Sequence, residues 1–129
     1  MIFQSQYVDC SKSEQEFFEL MSDTRNIPAL LPEQVVNVKA DYDTLSFTVQ
    51  GMGSLALLVS QRIPNNLVQL VPTGKTPFQF TLSIKIAGMG NRCRVMYEID
   101  ADLNPLLAMM AKRPLQNLVE MMADKTVSL

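Results

Sequence analysis

From Gln34 to Ala101 the apolar residues of this chain recur at every second position, and from Asn104 onward they recur at helical spacing. A period of two puts alternate side chains on opposite faces of a strand, whereas a period near 3.6 draws one stripe along a helix. More than half of the sequence is thereby committed to strands, and a helix closes it. Val36 and Val38 alternate with polar neighbours, as do Leu45, Phe47 and Val49. Gly51-Met52-Gly53 reads as a turn, Ser54 to Ile63 as a strand apolar on both sides at its middle, Pro64-Asn65-Asn66 as a second turn, and Leu67 to Val71 as the returning strand. Phe78, Phe80, Leu82, Ile84 and Ile86 alternate strictly with Gln79, Thr81, Ser83 and Lys85, which gives one dry face and one wet face. After a hairpin turn at Gly88-Met89-Gly90-Asn91, Cys93, Val95, Tyr97 and Ile99 share the core face, while Arg92, Arg94, Glu98 and Asp100 share the other. Short successive connections predict an antiparallel meander.

Before the meander, Ile2 to Val8 reads as a first strand stopped by Asp9-Cys10-Ser11. Ser11 and Glu14 have capping-box spacing, so a helix is expected to start there and to bury Phe17, Phe18, Leu20 and Met21. The stretch Asp23 to Pro32 holds Pro28 and Pro32, which allow at most a brief helical turn between them. At the other end Asn104 is a natural N-cap and Pro105 sits at N1, where its missing N–H costs nothing. Along the helix that follows, Leu107, Met110, Ala111, Pro114, Leu115, Leu118, Met121 and Met122 fall on one side, and Lys112, Gln116, Glu120 and Asp124 on the other. Pro114 deprives the Met110 carbonyl of its donor and is expected to bend the helix. No repeat, linker or low-complexity tract divides the 129 residues, so one domain over 1–129 is expected.

Composition removes several chemistries. The chain has no histidine, which excludes Ser-His-Asp and Cys-His catalysis, His-ligated zinc or haem, and imidazole proton shuttling. Two cysteines, Cys10 and Cys93, fall short of a Cys₄ metal or cluster site and read as free thiols, so no cofactor or metal is expected. A net charge of −2 gives no global field for a polyanion, so no nucleic-acid partner is expected. Gly74-Lys75-Thr76 imitates the end of a Walker A loop, but Gln69 stands where its first glycine belongs and Pro77 blocks the helix. Arg92 and Arg94 share their face with Glu98 and Asp100, which accounts for them as ion pairs. Asp41 and Asp43 around Tyr42 read as a solvated turn, without calcium-loop spacing. The first residues lack a basic segment followed by an apolar run, and no run approaches bilayer length; a cytoplasmic protein without membrane insertion is the expectation.

Asp23-x-x-Asn26-x-x-x-x-Leu31-Pro32 after the first helix and Leu103-Asn104-Pro105 before the last, taken with the element order, resemble the START-like, Bet v 1-like (SRPBCC, polyketide cyclase-like) superfamily. The resemblance implies an α+β helix-grip fold. A curved antiparallel sheet of about seven strands would wrap around a long C-terminal helix, with two short helices after strand 1. It further implies an apolar cavity between sheet and helix for lipids, sterols, hormones or polyketides. Leu31 stands near where many relatives carry an aromatic, and the chain is short for the family. The resemblance also makes the strands of Cys10 and Cys93 neighbours.

On this reading the chain binds a small hydrophobic or amphipathic ligand. Nine methionines suit an adaptable lining, although Met110, Met121 and Met122 read first as core. The candidate ligand-binding residues are Phe47, Phe80 and Leu82 on the concave side, Tyr97 with a hydroxyl that needs a partner, and Leu106, Met109 and Met110 on the closing helix. Leu106 and Met109 project away from the stripe, as a cavity entrance, a homodimer contact or ordinary surface. Two alternatives stand beside this reading. One is an interaction or homodimerisation module with a collapsed pocket. The other is a cyclase-like or hydrolase-like enzyme using Tyr97, Asp23 or Arg62, although no nucleophile-base pair is visible.

Overall fold

The structure is a computed structural model that describes residues 1–50 and 53–129. Strands β1 (Ile2–Gln4) and β2 (Val8–Cys10) lead into helix α1 (Glu14–Ser22) and a 3-10 helix (Thr24–Leu30). Then come β3 (Val35–Ala40), β4 (Thr44–Val49), β5 (Gly53–Ile63), β6 (Leu67–Pro72), β7 (Phe80–Met89) and β8 (Arg92–Ala101), and helix α2 (Pro105–Thr126) closes the chain. The eight strands form one antiparallel sheet in the order β1-β8-β7-β6-β5-β4-β3, with β2 also paired to β8. The expected helix-grip fold is present.

The eighth strand arises at the N-terminus. β1 and β2 lie end to end along β8, with Gln4 opposite Glu98 and Val8 opposite Val95. Three residues between β1 and β2 therefore face two of β8, and this bulge splits the expected first strand. Ser5 fills the gap: its N–H donates to the Tyr97 carbonyl at 2.9 Å, and its hydroxyl accepts from the Tyr97 N–H at 3.0 Å. Two further register shifts, between Val36 and Lys39 in β3 and between Val59 and Gln61 in β5, add curvature on the other side. Asn37 takes the left-handed conformation (φ 55°) that the first of these needs. Of the expected Gly51-Met52-Gly53 turn, Gly51 and Met52 lie outside the described residues, and Gly53 opens β5.

Helix α1 begins two residues later than Ser11 and Glu14 suggested. Ser13 and Glu16 repeat the same spacing and form the capping box, because β2 runs through Cys10 and the Ser11 hydroxyl donates to the Leu129 carbonyl at 3.0 Å. The corner after α1 is also more helical than its prolines suggested. Asp23 caps the N-terminus of the 3-10 helix and Pro28 is accommodated inside it. Asn26 Nδ2 donates to the Leu20 carbonyl at 2.9 Å and so closes the end of α1.

Helix α2 is continuous through Pro114, with Asn104 as its cap and Pro105 at its start. It packs mainly against β8, β1, β2 and the 3-10 helix, so it leans toward one side of the sheet. Its buried face consists of Ala111, Leu115, Leu118, Val119, Met122, Ala123 and Thr126. This stripe is rotated from the expected one: Val119 and Ala123 enter the core, while Met110 and Met121 leave it. The lean explains the rotation, since the side of α2 toward β3 and β4 has no sheet pressed against it.

Candidate functional site

The space left by that lean is a cleft of about 530 Å³, open to solvent along one side. Pro32, Gln34 and Val35 form its rim after the 3-10 helix, Val49 and Gln50 come from the end of β4, and α2 supplies the opposite wall from Arg113 to Asp124. Val35, Val49, Pro114, Leu118 and Met121 give an apolar floor, and Asn117, Glu120, Asp124, Arg113, Gln34 and Gln50 give a polar margin. Pro114 belongs to this wall, and the carbonyl of Met110 lacks an intrahelical donor because proline has no N–H. The volume lies within the range of small-molecule sites, roughly 300–1,000 Å³.

Hydrogen bonds from α2 anchor it to the rest of the fold beside the cleft. Lys125 Nζ donates to the Leu31 carbonyl at 2.5 Å, tying the end of α2 to the corner that carries Pro32. Gln116 Nε2 donates both to the Gln4 carbonyl at 3.1 Å and to Glu120 Oε1 at 2.9 Å, linking α2 to β1 and holding Glu120. Among the described residues, Arg113, Glu120 and Asp124 form no ion pair. Their charges are left available at the cleft margin.

The seven residues singled out from sequence are not brought together here. Phe47, Phe80 and Leu82 are buried in the core, where Phe80 packs against Phe78 with ring centroids 5.4 Å apart. Tyr97 is fully enclosed, and its hydroxyl lies 2.5 Å from Thr126 Oγ1 in the last turn of α2. Burial pushes its ionisation well above the ordinary phenol range, the Thr126 bond opposing this only in part. Tyr97 thus has an internal partner and presents nothing to the cleft. Leu106, Met109 and Met110 lie on the solvent side of α2. An ideal wheel places Met110 on the core stripe; the lean of the helix turns it outward.

The groups that an acid-base mechanism would have drawn on hold the fold together instead. Asp23 accepts from the Arg25 N–H at 3.0 Å and pairs with its guanidinium at 2.7 Å, which lowers its pKa below the usual carboxylate range. Arg62 donates to the Ser22 carbonyl at 2.8 Å, pairs with Asp43 at 2.9 Å and lies 4.5 Å from the centre of the Tyr42 ring. Asp41 accepts from the N–H groups of Asp43 and Thr44, so the acidic turn organises its own backbone. Cys10 and Cys93 sit directly opposite each other in register, buried and unbridged. Burial, reinforced by Cys10, pushes the Cys93 thiol up to about 12 and holds it as a neutral thiol. Among the described residues no group of three His, Cys, Asp or Glu side chains could hold a metal. Nor is any described helix long and apolar enough to cross a membrane.

The residues that do line the cleft were partly legible. Pro114, Leu118 and Met121 were on the expected stripe, whereas Gln34 and Gln50 carried no signal, because what matters is where two strand ends meet α2. No family model matches the chain, and no curated protein matches it. Solved structures do. A START superfamily protein from Mycobacterium smegmatis superposes with a TM-score of 0.68 at 14% identity, covering 97% of this chain and 96% of that one. Norcoclaurine synthase from Thalictrum flavum gives 0.68 at 14% identity, covering 99% and 84%. A protein from Thermus thermophilus gives 0.71 at 12% identity, covering 99% and 95%. Sheet order, curvature and closing helix together define the START-like, Bet v 1-like fold.

Proposed function

We propose that residues 1–129 act as one START-like domain that binds a small amphipathic molecule in the cleft between α2 and the β3–β4 end of the sheet. The observation that carries this reading is the cleft itself: ligand-sized, apolar at its floor and polar along one margin. A ligand's apolar body lies over Val35, Val49, Leu118 and Met121, and its polar end meets Asn117, Glu120, Asp124 or Arg113. Each apolar side chain engaged contributes about 1–2 kcal/mol, so micromolar binding, about 8 kcal/mol, needs only several such contacts once association costs are met.

Titration with 1-anilinonaphthalene-8-sulfonate tests the site. Fluorescence enhancement that saturates at one dye per chain, and that Met121→Trp abolishes by filling the cleft, is the expected result. Equal enhancement in a folded Met121→Trp variant would remove the cleft from the account. A second reading is favoured by the likeness to norcoclaurine synthase, whose structure has been solved with dopamine and hydroxybenzaldehyde. In that reading Glu120 and Asp124, the two acids of the cleft, serve proton transfer to a bound carbonyl compound. Turnover lost in Glu120→Gln and Asp124→Asn with binding retained would establish it.

A further inference from the structure

Leu106, Met109 and Met110 stand at i, i+3 and i+4 on the outer face of α2, exposed to 68%, 83% and 58%. They form one contiguous patch directly opposite the core face, where a surface helix normally carries polar residues. Lys112 and Arg113 follow within one turn, both exposed, and no acidic residue occurs from Leu103 to Val119. The stretch from Leu103 to Val119 therefore carries +2 while the chain as a whole carries −2, which leaves −4 for all other residues. Positive charge and exposed apolar surface are segregated onto the same two turns of one helix.

We propose that this face of α2 docks reversibly on an anionic lipid surface, with Leu106, Met109 and Met110 in the headgroup–acyl boundary and Lys112 and Arg113 at the headgroups. Exposed apolar side chains beside cations are the features that hold a helix in that interface. A second copy of the chain fits less well. Antiparallel self-pairing centred on the patch sets Leu106 against Met110 and places Lys112 and Arg113 opposite Asn104 and Leu103 of the copy, neither of them acidic. Sliding the copies until Arg113 meets Glu120 carries Leu106 out to Val127 and leaves the patch uncovered. Parallel self-pairing sets cation against cation. An anionic lipid surface satisfies both halves of the patch at once, and no spanning segment is required. Leu106, Met109, Met110 and Lys112 lie outside the cleft, and Arg113 is shared with its margin.

Co-sedimentation with phosphatidylcholine vesicles, with and without phosphatidylglycerol, tests the proposal, beside light scattering of the protein alone. The expected result is binding to the phosphatidylglycerol vesicles that weakens with salt. Lys112→Glu should lower it at least about fivefold and Leu106→Ser/Met109→Ser at least about tenfold, with thermal melts unchanged because these positions are exposed. Three results would overturn the proposal: no binding to anionic vesicles, variants that sediment like the parent chain, or a dimer in solution that Leu106→Ser/Met109→Ser dissolves.

Discussion

Tyr97 and Thr126 offer a sharp test of how the closing helix is held. The Tyr97 hydroxyl lies 2.5 Å from Thr126 Oγ1, and Thr126 Oγ1 lies 2.8 Å from the Met122 carbonyl, all of it buried. A carbonyl cannot donate, so the Thr126 proton goes to Met122 and the Tyr97 proton goes to Thr126. Tyr97→Phe then removes one buried hydrogen bond but leaves Thr126 with its own, at a cost of about 1 kcal/mol. Thr126→Val is worse, because it strands the Tyr97 hydroxyl in an apolar space, at about 1–3 kcal/mol. In the double variant no group is stranded, so it should be more stable than Thr126→Val alone, with a coupling of about 1–2 kcal/mol. Urea denaturation with an unchanged m-value measures all three. If Thr126→Val is no more harmful than Tyr97→Phe, or if the two effects simply add, the assignment of the proton chain is wrong. Tyr97→Phe should also leave dye binding in the cleft unchanged.

Other outcomes follow from the same geometry. Ser13→Ala should cost about 1 kcal/mol by removing the α1 cap, whereas Ser11→Ala should leave α1 intact; thermal melts separate them. Leu118→Ala, which empties the boundary between core and cleft, should destabilise the fold by about 2–5 kcal/mol. The carboxyls of Glu16, Asp23 and Asp41 have folded pKa values held below their ordinary range by the hydrogen bonds they accept, from Ser13, Arg25 and Thr44 respectively. Their stabilisation is complete above about pH 5 and is lost as pH falls through the folded values, so melting temperature should drop in acid, and less so in Asp41→Asn. The Cys93 thiol runs the other way. Its folded pKa is raised to about 12, so stability should decline as pH rises above the ordinary thiol range of about 8.5–9, and Cys93→Ala should flatten that alkaline slope.

The alternation from Phe80 to Ile86 and from Cys93 to Ile99 was legible because a strand in a one-sided sheet has only one register that buries its apolar face. Asn104 and Pro105 announced α2 for an equally local reason. Local rules stopped where two equivalent local choices existed, as with Ser11 and Ser13, or where tertiary contact decided. Met110 and Met121 fit an ideal stripe, but α2 is pulled toward β8 and β1, so the stripe rotates and the methionines leave the core. The cleft exists because of that same displacement. It joins Gln34 and Gln50 to Asn117 and Asp124, residues far apart in sequence with no shared pattern. Tyr97 stood out in the sequence but not its burial away from the cleft, since its partner Thr126 lies in a turn whose face depends on the same rotation.

Native mass spectrometry of the chain purified from its own host, run beside Met121→Trp, bears most directly on the cleft. A non-covalent small-molecule mass on the parent chain that is missing from the variant is what the account predicts. A bare chain in both samples, or the same bound mass in both, would contradict it.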